Sequence, residues 1–146
     1  MATVELRFSA LPEHVRTARL VAAAVARRAG VDEAVLDEVR LAVGEACSRA
    51  VGLHQIGGIT APVKVSLIEE EKQFSIEVGD EAPHAPTGVR TAAAAAEDPD
   101  VEAEEDEMGL AVISGLVDDV EVTAGEHGGL IRMTWPTTPP PTAVLP

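Results

Sequence analysis

The hydrophobic period of this chain changes from two to about 3.6 and back to two, and that change limits the folds open to it. In TVELRFSA, Val4, Leu6 and Phe8 alternate with Glu5 and Arg7, the pattern of a strand with one buried face. LPEHVRTARLVAAAVARRAG then places Val15, Ala18, Ala22 and Val25 along one side of a helix. Pro12 suits its first turn, Arg27 and Arg28 its last, and Gly30 stops it. A second helix follows, with Asp32 as its expected N-cap and Val35, Val39, Val43, Ala46 and Ala50 recurring at spacings of three and four. The period then returns to two in the runs Val63 to Ile68 and Phe74 to Val78, which flank the charged turn Glu70 to Lys72 and predict a β-hairpin. Further on, MGLAVISGLVDD predicts a short apolar helix, and VEVTAGEHGGLIRMTWP predicts two strands around a turn at Gly125 to Gly129. Strands that arrive in hairpins pair antiparallel, and two amphipathic helices need one apolar surface to share. The expected fold is therefore α+β, a two-layer sandwich with the helices on one face of a mixed, mostly antiparallel sheet.

Residues 82–107 break the pattern: they are rich in Pro, Ala and acid and show no period tied to a core, so a mobile loop is expected there. The Pro-rich residues 137–146 are expected to be a disordered tail, leaving a single domain over residues 1–136. A formal charge of −14 argues against nucleic-acid binding, which depends on Lys and Arg meeting phosphates, and points instead to a basic protein partner. The lone cysteine, Cys47, cannot form an internal disulfide, and on the core side of its helix it reads as a small buried hydrophobe. No apolar run approaches the roughly 20 residues of a membrane span, and the start of the chain lacks a signal peptide's apolar region. The cytoplasm is the expected compartment, with no membrane partner.

The segments FSALPEHVRTAR, LAVGEACSRAV, VGDEA and MGLAVISGLVDDVEV, closed by GGLIRMTW, give an order and spacing that resembles the anti-sigma factor serine kinases of bacterial partner-switching systems. These share the Bergerat (GHKL) ATPase fold with gyrase and histidine kinases. The resemblance runs from about Val4 to Thr134. It implies a protein that sequesters a sigma factor and is displaced by an anti-sigma antagonist of the STAS type. Most such relatives also phosphorylate the antagonist on serine with Mg·ATP, and they are commonly dimers, so a homodimer is a further expectation. The same resemblance makes residues 82–107 the counterpart of the ATP lid.

Against the family's motifs, the nucleotide site is degenerate. The family helix carries E-A-x-x-N-A, with Glu as general base and Asn as a magnesium ligand; here it reads EACSRA. Glu45 matches the base, but Arg49 stands at the metal position, and a guanidinium has no lone pair to give a cation. The first loop, usually D-x-G-x-G, reads DEAPH: Asp80 keeps the adenine anchor, while Ala82 and His84 replace the glycines around Pro83. The second loop keeps Gly109 but puts Glu107 at its first glycine, next to Glu104, Glu105 and Asp106. A carboxylate about 4 Å from a phosphate costs on the order of 4 kcal/mol at an effective dielectric near 20. That is about half of a micromolar affinity, roughly 8 kcal/mol.

Spacing alone makes Glu45 and Arg49 an i, i+4 surface ion pair worth a few tenths of a kcal/mol. The resemblance makes them the base and the substituted metal position of a former kinase site. The acidic run Glu97 to Glu107 reads either as a solvated loop or as a surrogate for phosphate that competes for partners. Arg19, with Arg16 one turn earlier, occupies the place from which relatives contact sigma factor and antagonist. The expected function is an anti-sigma regulatory factor with little or no kinase activity, no metal and no cofactor. Two alternatives remain: an active serine kinase using Mg·ATP, and a scaffold that binds the antagonist but no sigma factor.

Overall fold

The computed structural model of the protein describes residues 2–83, 88–91, 112–117 and 119–137. In chain order they form β1 (Ala2–Phe8), α1 (Pro12–Ala29), a 3-10 turn (Glu33–Val35), α2 (Leu36–Gly57), β2 (Val63–Glu70), β3 (Gln73–Asp80), β4 (Gly88–Thr91), β5 (Asp119–Gly125) and β6 (Gly128–Pro136). Residues 112–116 are helical. The strands make one sheet in the order β1-β2-β3-β6-β5-β4, and every neighbouring pair is antiparallel. The helices α1 and α2 pack against each other and against β2 and β3.

Alternation along the strands sorts the side chains into two layers. Leu6, Val65, Val78, Ile131 and Val122 are partners in one row across five strands, and Val4, Leu67, Ile76, Met133 and Val120 form the next row on the same face. Both rows belong to the core, which α1 closes with Ala18, Ala22 and Ala26 and α2 with Val39, Val43, Ala46, Cys47 and Ala50. Alanines along both helices let the backbones sit close to the sheet, and the larger sheet residues Phe74, Leu67 and Met133 fill the layer between. The intervening row on the other face is polar: Glu5, Ser66, Glu77, Arg132 and Glu121.

The α+β sandwich and its hairpins follow the periodicity, with some differences. Asp32 caps the 3-10 turn, its carboxylate accepting from Ala34 N–H at 3.0 Å. The second helix begins only at Leu36, where no side chain caps it. The stretch that shows no period in sequence contains β4, four residues paired with β5. A strand that short offers too few alternations for a period of two to show. The rest of residues 82–107, apart from Ala82 and Pro83, lies outside the described residues, as does the tail beyond Thr137. No described helix is long and apolar enough to cross a membrane.

Candidate functional site

The end of β3 carries the site. Alternation that buries Ile76 and Val78 under the helices puts Asp80 on the same face, so a carboxylate enters the helix-facing layer with only 6% of its surface exposed. A charge in that position needs partners. Asp80 Oδ1 accepts the N–H of Ala82 at 2.9 Å, closing a tight turn. Asp80 Oδ2 lies 3.9 Å from Arg49 Nη1, and the two side chains are 3% and 10% exposed. Arg49 comes from α2, one residue off the apolar stripe that continues through Ala50, so its stem follows the helix surface and its head reaches the strand end.

The i, i+4 pairing of Arg49 with Glu45 is thus replaced by a longer-range one. Burial decides the outcome: Asp80 is almost wholly shut off from water, whereas Glu45 is only partly buried. Glu45 lies one turn before Arg49 on the same helix. Arg19, half-buried on α1, crosses α2 at Gly44, where a Cβ would come within 3.0 Å of Arg19 Cδ. Arg16 is exposed on α1. The structure therefore brings Arg49 to Asp80, with Glu45 one turn earlier on α2 and Arg19 beside Gly44, while Gly109, Glu107 and His84 lie outside the described residues.

Two residues that the sequence motifs do not single out for the site complete the junction. His54, in the last turn of α2, is fully buried; its Nδ1 lies 3.0 Å from the Ala61 carbonyl oxygen and its Nε2 accepts Glu81 N–H at 2.8 Å. Its signal in the sequence is its position, four residues after Ala50 on the buried stripe. Gly128 begins β6 at φ +143°, where a side chain would collide with the carbonyl oxygen of Asp80. That close approach lets the β5–β6 hairpin lie over the end of β3. A cavity of about 420 Å³ opens there, lined by Asp80, Thr123, His127 and Leu130 among others.

Chemically the junction binds its own residues. Arg49 has no lone pair to give a cation and its guanidinium lies against the Asp80 carboxylate, so this pair does not fit a metal ion. Among the described residues no group of three His, Cys, Asp or Glu is placed to hold a metal ion. Cys47, beneath the site, has its thiol pushed up to about 12 by burial, which leaves it inert at neutral pH.

Two helices packed on one face of an antiparallel sheet give the two-layer layout of the Bergerat ATPase fold. The family model for the histidine kinase-like ATPase domain matches residues 8–135, and the chain belongs to that family. The crystal structure of the RsbU and RsbW domains of Rv1364c from Mycobacterium tuberculosis is similar in fold, with a TM-score of 0.66 at 16% identity. The likeness covers 95% of this chain and 33% of that one, so this chain spans about a third of its length. No curated protein matches the chain.

Proposed function

We propose that this protein is an anti-sigma regulatory factor that works by protein binding, sequestering a sigma factor and releasing it when a STAS-type antagonist takes its place, with little or no kinase activity. The observation that carries the reading is the Arg49–Asp80 contact: the position that would ligate magnesium instead supplies a cation to the adenine anchor. Phosphoryl transfer needs positioning and charge neutralisation together, and an arginine supplies charge without the bridging geometry of a metal. The fold likeness to the RsbU and RsbW domains of Rv1364c is in keeping with such a setting. Partner contact falls to α1, where Arg16 and Arg19 are rare cations on a chain of net charge −14.

The partly buried Glu45 favours a second reading, an active serine kinase, because a carboxylate survives at the family's general-base position on α2. Calorimetry with ATP and magnesium, followed by labelled-phosphate transfer to a candidate antagonist, separates the two. No micromolar binding and no transfer are expected; tight binding with transfer would overturn the non-enzyme reading. Arg49→Asn combined with Glu107→Gly is expected to restore some nucleotide affinity. Arg19→Ala is expected to weaken sigma or antagonist binding by about 1 kcal/mol or more with stability nearly unchanged. Unchanged affinity for both would remove Arg19 from the surface.

A further inference from the structure

The imidazole of His54 joins three parts of the fold: the last turn of α2, the approach to β2 at Ala61 and the exit of β3 at Glu81. Its two partners settle its protonation. The Ala61 carbonyl can only accept and the Glu81 amide can only donate, so the ring is neutral with its proton on Nδ1. Glu81 sits between Asp80, held by Arg49, and Ala82, whose N–H bonds Asp80 Oδ1. Two successive amides leaving β3 are therefore fixed, one by His54 and one by Asp80.

A proton on Nε2 turns the acceptor into a donor facing a donor. Turning the ring over does not help, because both nitrogens of an imidazolium donate and Glu81 still offers only N–H. Proton uptake therefore requires the chain at Glu81 to move away. Arg49 on α2 and Lys64 on β2 bring positive charge to the elements that meet here, Asp80 and Glu81 bring negative charge, and the closing carbonyls of α2 form the negative end of its dipole. Once Glu81 has moved, the helix end and these carboxylates can accommodate the cation without unfolding α2.

We propose that His54 is a proton-operated latch. In its neutral form it holds the exit of β3 against the end of α2, and on protonation it releases Glu81 and Ala82. The latch acts whether or not the site takes nucleotide, so it stands apart from the functional reading above.

The test is NMR on the full chain labelled with nitrogen-15, titrated from about pH 8 to about pH 5, the range in which histidines change charge. It follows the His54 ring nitrogens together with amide protection factors. The expected result is an Nδ1–H tautomer at the upper end. Protection at Glu81 and Ala82 then falls roughly tenfold in the same transition that protonates His54, while Ile76 inside β3 keeps its protection. His54→Phe keeps the ring's bulk and removes both bonds, and should leave Glu81 unprotected at every pH. Should that variant fail to fold, Glu81→Pro removes the donated N–H, and Ala82 should then show no pH-linked change. A His54 that never titrates, a titration that leaves Glu81 protected, a loss shared by Ile76, or pH-linked opening that persists in Glu81→Pro would each overturn the latch.

Discussion

Two arginine–carboxylate clusters lie on opposite faces of the same sheet. On the helix side Arg49 meets Asp80 at 3.9 Å, with side chains 10% and 3% exposed. On the open side Arg132 reaches Glu70 and Glu77 at 3.4 Å each, with side chains 35%, 29% and 23% exposed. The shorter contacts are the more exposed ones. A pair near 4 Å is worth about 1 kcal/mol in water and about 4 kcal/mol at an effective dielectric of roughly 20, before desolvation is subtracted. Water therefore ranks these contacts more strongly than distance does. The buried pair locks a junction, and the open one is a solvated surface whose members can exchange partners.

The largest effect expected from this contrast is at Arg49. Removing one member of a buried pair leaves the other charge poorly compensated, so Arg49→Ala should cost about 3 to 5 kcal/mol in urea unfolding. Arg49→Met with Asp80→Asn removes both charges while keeping an oxygen for the Ala82 N–H, and should recover most of that loss. A double variant as unstable as the single one would show that charge is not what the junction needs.

A smaller effect sharpens the same rule. Cys47 lies fully buried in the helix layer, and its thiol is raised from 9.0 to about 12 by desolvation. A raised folded value means that the thiol's contribution is complete below pH 9.0 and is lost as pH rises towards 12, because the unfolded chain releases its proton first. Stability should fall by about 1.4 kcal/mol per pH unit across that window, and Cys47→Ala should remove this slope. The chain has no tyrosine to mask the effect. An identical alkaline slope in the variant would show that the thiol does not set it.

The layers of the fold are legible in sequence because they rest on local period. Val4, Leu6 and Phe8, or Phe74, Ile76 and Val78, announce a buried face before any partner strand is known. The site is legible only in part. Family spacing singles out Glu45, Arg49 and Asp80, yet Arg49 and Asp80 are 31 positions apart, and helix geometry alone favours the wrong partner, Glu45. Which carboxylate takes the guanidinium depends on which one loses water, a tertiary fact. His54 is illegible for the same reason: its stripe position predicts burial, but its acceptors and donors come from Ala61 and Glu81, which only the closed sheet brings to the end of α2. β4 escapes because four residues are too few for a pattern.

The smallest effect is expected on the open face, where Arg132→Ala should cost less than about 1 kcal/mol, with a difference that shrinks in high salt. Every neighbour of that guanidinium has a fallback. Glu70 keeps the amide of Gln73 at 2.8 Å, Ser75 Oγ keeps Thr134 Oγ1 at 3.0 Å, and Glu77, 23% exposed, can return to water. The space beside it, about 330 Å³ lined by Gln73, Asp119, Glu121, Arg132 and Thr134, admits solvent that screens the remaining carboxylates. Against these stands the loss of the one cation in the row Glu5, Ser66, Glu77, Arg132 and Glu121, which leaves like charges on neighbouring strands. Urea unfolding of wild type and variant in low and high salt decides the balance. A loss above about 2 kcal/mol that salt does not reduce would mean that water does not screen this face, and the contrast between the two faces would fail.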